Sequence, residues 1–62
     1  MSVSELCDVI ETYTWRIKCI LKERGALVAK AAWSEDDEVY ADYLDDLYEE
    51  YNGYVLEAQA ML

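Results

Sequence analysis

From Val3 onward, apolar residues recur as Val3, Leu6, Ile10, Tyr13, Ile17, Ile20, Leu27 and Ala31, with Arg24 at one position of the series. Steps of three and four keep these residues on one side of a helix, as a heptad seam. Cys7, Leu21 and Val28 lie beside the seam and widen it, the pattern of a helix packed within a bundle. Ser2 with Glu5 three residues on is the signature of a capping box, so the first helix is expected over about residues 3–32. A second heptad follows at Tyr40, Leu44, Leu47, Tyr51, Tyr54, Ala58 and Met61, flanked by Tyr48, Val55 and Leu62. It is out of phase with the first: continuing the first seam would place Ser34 and Glu38 in the core. The spacing predicts a turn at about 33–35 and a second helix over about 36–61. Ser34 is its N-cap, Asp37 completes a capping box, and Glu35, Asp36 and Asp37 oppose the positive end of the helix dipole.

Gly25 and Asn52-Gly53 are possible helix stops, but each seam keeps its phase past them. Both glycines are therefore expected inside helices, at about 1 kcal/mol each. The charged member of the first seam, Arg24, is expected to lay its stem along the apolar face and send its head to water or an acid. Trp33, at the turn, is expected to cover one end of the packed helices.

The predicted fold is all-α: one domain, residues 1–62, forming an antiparallel helical hairpin. A 62-residue chain buries too little surface to be comfortably stable without a disulfide, a metal or a second chain. Two hairpins pairing about a two-fold axis into a four-helix bundle would solve this. Leu6, Ile10, Tyr13, Ile17, Ile20, Leu27, Tyr40, Leu44, Leu47, Tyr51 and Tyr54 are the expected core of such a homodimer.

Composition narrows the chemistry. The chain has no histidine and no proline, which removes the commonest general base and zinc ligand. It carries no glycine-rich phosphate loop, no nucleophile beside a base and no metal-spaced cluster. The run Ser34-Glu35-Asp36-Asp37-Glu38 lacks the alternating ligands and mid-loop glycine of a calcium loop. A non-enzyme without cofactor is expected. Cys7 and Cys19, twelve residues apart on one helix, would lie about 18 Å from each other along its axis, too far to pair within one chain. Two free thiols suit a reducing compartment, and no signal-like or membrane-spanning stretch is present in the sequence. A cytoplasmic location is expected.

The net charge of −9 is unevenly distributed. Up to Lys30 the chain carries five basic and four acidic residues; beyond it there are ten acids and no base. Pairing of basic groups on one helix with acids on the other accounts for part of this, and a surplus of acids remains. Asp42, Asp45, Asp46 and Glu49 are expected to form an outward row on the second helix, with Tyr43 at its rim. Neighbours in such a row are about 5–6 Å apart, which would suit an acidic mimic of DNA. Trp15 projects away from the first seam among Asp8, Glu11, Lys18 and Lys22. It is either a rim tryptophan covered by lysine stems, an anchor for another protein, or part of a helix buried on both sides in a larger oligomer. Leu56 and Ala60 form a small apolar patch outside the second seam.

Two resemblances bear on function. In size and hairpin plan the chain resembles Rop, the plasmid RNA-binding protein whose hairpins dimerise into a four-helix bundle. Arg16, Lys18, Lys22, Arg24 and Lys30 cluster on one helix as an RNA-binding face would require, although a net charge of −9 opposes phosphate binding. In length, acidic composition and hairpin plan the chain also resembles small early or accessory proteins of temperate lambda-like phages. That resemblance implies a regulatory role in the host cytoplasm, exerted on a host protein. The expected partners are thus a second copy and another protein, with Trp15, Lys18, Lys22, Asp42, Tyr43, Asp45, Asp46 and Glu49 as the contact residues; nucleic-acid and membrane partners are not expected.

Overall fold

A computed structural model describes residues 2–62 as two antiparallel helices, α1 (Val3–Val28) and α2 (Glu35–Ala60), packed along their length. Each begins at a serine. The Glu5 amide donates to the Ser2 hydroxyl at 3.2 Å, one half of a capping box. At Ser34 both halves form: the Asp37 amide donates to Ser34 Oγ at 3.2 Å, and the Ser34 amide donates to Asp37 Oδ2 at 3.0 Å. Four acids occupy the first turn of α2, where backbone N–H groups lack helical acceptors and favour negative charge.

The second helix matches its expected bounds to within one residue at each end, whereas α1 stops four residues short of the expected end near residue 32. The reason lies across the turn. The Trp33 indole donates from Nε1 to the Leu27 carbonyl at 2.7 Å, and the Lys30 amide donates to the same oxygen at 3.0 Å. With that carbonyl taken, the chain leaves the helical path and residues 29–34 form the link. Ala31, expected on the seam, is exposed. Lys30 Nζ instead reaches both carboxylate oxygens of Asp37 at 3.0 Å, fastening the link to the start of α2. Gly25 and Gly53 lie within the helices as expected, with no positive φ.

Ile20, Leu27, Ala41 and Leu44 form the central core, with Leu47 and Tyr51 packed on it; Leu6, Val55 and Ala58 are buried toward the open end. Of the expected core residues, Ile10, Tyr13, Ile17, Leu47 and Tyr51 are only half-buried, while Tyr40 and Tyr54 are exposed. Within the single hairpin, the hydroxyls of Tyr40 and Tyr54 turn to carboxylates at its edge. Tyr40 donates to Glu23, and Tyr54 donates to Glu50 at 2.8 Å. The acceptors raise both phenol pKa values above 10.0. A phenol with a raised folded-state pKa stabilises the fold below the unfolded value and loses that contribution as pH climbs through the folded one.

Asp37 behaves in the opposite sense. The Ser34 amide, followed by the Lys30 ammonium, holds its carboxyl below the ordinary value of 3.8. Its contribution is complete above that value and disappears as pH falls through the lower folded-state value. Comparing urea melts of the wild type and Asp37→Asn should therefore give a stability difference at pH 6 that shrinks progressively as the pH falls below 3.8. A difference independent of pH would mean that the carboxylate charge is not what the cap uses.

Candidate protein-binding face

Heptad geometry leaves one side of α1 facing neither α2 nor the seam, and Trp15 stands there at 67% exposure. A shallow groove beside it is lined by Cys7, Ile10, Glu11, Thr14, Trp15 and Lys18. Lys18 and Lys22, one turn apart, are both exposed. Of the readings offered for Trp15, stacking under a lysine ammonium has no counterpart here: among the described residues, the cations over aromatic rings are Arg16 above Tyr13 and Tyr51, at 5.4 and 5.8 Å, and Arg24 above Trp33 at 5.3 Å. The two guanidiniums go to Tyr13 and Tyr51 and to Trp33 on the link, and Lys18 and Lys22 remain exposed. A large, amphipathic and rigid side chain is thereby presented among flexible charges, the composition of an interaction anchor.

The acidic row divides. Asp42, Asp46 and Glu49 are exposed on α2, and helical spacing places them away from α1. Asp45 does not belong with them as an unpaired member, because its Oδ1 accepts from Arg24 Nε at 3.1 Å. Position 45 lies at the α1 boundary, and Arg24, the one charged residue on the first seam, finds its acid there. Tyr43 is exposed and its ring stacks with Tyr40 at a centroid separation of 6.3 Å. Trp15 with Lys18 and Lys22 lies on α1, and Asp42, Asp46 and Glu49 on α2; no hydrogen bond or ion pair joins the two groups among the described residues.

Of the Arg24–Asp45 pair, only the cation was discernible, as the one charge on the first seam; Asp45 was expected in the outward row. A further feature was half visible in the pattern. Val3, Leu21 and Val28 are exposed, and Ile10 and Ile17 are half-buried. Their steps of seven, seven, four and seven residues, running Val3, Ile10, Ile17, Leu21, Val28, form an apolar stripe along the flank of α1 that α2 leaves open. Among the described residues, no helix is long and apolar enough to cross a membrane. Comparison with family models, curated proteins and solved structures returned no match, and the functional reading rests on this geometry.

Proposed function

We propose that the hairpin is a non-enzymatic adaptor or regulator that dimerises and binds another protein through the face of α1 around Trp15. The exposed indole, with Lys18 and Lys22 beside it and no covering side chain, is the observation that carries the reading. Anchors of this kind contribute most when they enter a pocket of the partner and are ringed by contacts that exclude water. The resemblance to phage accessory proteins makes a host protein the natural target. Affinity capture from a bacterial lysate, run with the wild type and Trp15→Ala, tests it. Loss of one captured species by about tenfold or more is expected, the usual consequence of truncating an anchoring tryptophan. Because the side chain is exposed, the variant should melt as the wild type does, and retention of the partner at full strength would overturn the proposal.

A second reading is favoured by the outward acids. Once Asp45 is engaged by Arg24, the remaining row of Asp42, Asp46 and Glu49 has no cation opposite it, as a mimic of a phosphate backbone would need. On that reading capture weakens steeply with salt and is abolished by exchanging the three for Asn or Gln, while Trp15→Ala has no effect.

A further inference from the structure

The apolar stripe of Val3, Ile10, Ile17, Leu21 and Val28 continues onto α2 through Tyr48 and Leu56, which are also exposed. Helical spacing puts these residues on the same broad side of the hairpin. The Cα envelope of the hairpin is 46 by 15 by 13 Å, so one long side with side chains added approaches the ~800 Å² per partner of a stable interface. Its two borders differ in charge. On α1 the outer border carries Lys18 and Lys22; on α2 it carries Asp42 and Glu49, while Asp45 is already paired with Arg24 of its own chain. A surface with an apolar centre, one basic edge and one acidic edge is complementary to itself under a two-fold rotation.

Which rotation is decided by charge. An axis perpendicular to the helices sets α1 against α1 and α2 against α2, bringing together two helices that each carry ten acids and no base. An axis parallel to the helices exchanges left for right and preserves height, so α1 of one copy meets α2 of the other in the same register as inside the hairpin. That register is fixed by Glu23 with Tyr40 and Arg24 with Asp45. It brings Lys22 level with Asp42, and Lys18 level with Glu49, of the second copy.

We infer that the stripe is covered by a second copy of the chain, in a two-fold dimer whose axis runs parallel to the helices and packs α1 of each copy on α2 of the other. This deepens the dimer proposed above and rests on it. Both links then lie at one end of the bundle. Trp15 falls one row beyond the lysine border, outside the contact, so the dimer displays two anchors. Gly25, beside Val28's row and with nothing within 4 Å of a Cβ built on it, lies level with Glu38 of the second copy.

Sedimentation and a spin-label distance test this separately. The wild type should sediment as a dimer. Leu21→Glu, at a position 53% exposed in the hairpin, should keep its helical circular dichroism and weaken the dimer by at least about a hundredfold, two apolar contacts being lost and two charges buried. Val39→Glu, on the far side of α2, should leave the dimer intact. For the axis, Ser4→Cys is spin-labelled with both native cysteines, which are exposed, changed to serine. A parallel axis holds the two labels at one height, less than about 25 Å apart across a bundle with helix axes about 10 Å apart; a perpendicular axis separates them by at least about 35 Å along α1. A monomeric wild type overturns the dimer and this inference together. A dimer with the long label distance overturns the arrangement alone, and a dimer indifferent to Leu21→Glu overturns the choice of face.

Discussion

Leu44→Ala is expected to lower the stability of the hairpin by about 3–4 kcal/mol, a loss large enough to unfold much of the population at room temperature. Leu44 is 2% exposed and stands in the cluster with Ile20, Leu27 and Ala41. Removing a buried isobutyl group forfeits its transfer free energy and leaves a cavity that two rigid helices close only in part. With seven buried apolar residues in the described chain, no neighbouring layer can take up the loss. Urea melts followed by circular dichroism, at a fixed protein concentration because self-association would add to the measured stability, provide the number. A loss below about 1 kcal/mol would show that the cluster around Leu44 is not the centre of the fold.

Trp33→Ala is expected to cost about 2–3 kcal/mol, combining a lost hydrogen bond, a lost cation–π contact and lost apolar burial. The indole is 37% exposed, so part of its area already meets water. Arg24 Nη1 is enclosed without a hydrogen-bond partner, and removing the ring lets water reach it, which offsets some of the loss. Trp33→Phe separates the contributions in part: it keeps a ring for the guanidinium while removing the donor to Leu27 and some of the ring area, for about 1–2 kcal/mol. Equal losses in the two variants would mean that the N–H, rather than the ring, holds the turn.

The helices themselves were legible because period and capping agree. Two seams out of phase require a break, and Ser34 with Asp37 marks where the second helix begins. The end of α1 was not legible, since its heptad runs on through Ala31 and the stop comes from an indole six residues beyond Leu27. That is a side chain reaching backbone across a turn, invisible to periodicity. Ala41 went unnoticed in the core because a methyl group contributes little to a hydrophobic pattern, even where two helices enclose it. The carboxylate partners of Tyr40 and Tyr54 were not legible, because each ring belongs to the seam while its hydroxyl reaches Glu23 or Glu50 at the edge of the hairpin. At the candidate site Trp15 could be read directly, because an aromatic among charges departs from the seam. Asp45 could not be separated from Asp42, Asp46 and Glu49, because spacing places them on neighbouring rows and only the position of Arg24 distinguishes them.

The link at residues 29–34 also fixes the order in which the molecule can assemble. Every contact between the helices closes a loop through that one link, and within the central core cluster the shortest loop is the one spanning Leu27 to Ala41. Closure costs rise with loop length, so the hairpin zips from the Trp33 end toward Leu6 and Ala58. Such local topology belongs to the fast-folding class, with rates in the microsecond to millisecond range. The open end, last to close and first to fray, sets the limit on hydrogen-exchange protection, which should decline along both helices with distance from the link.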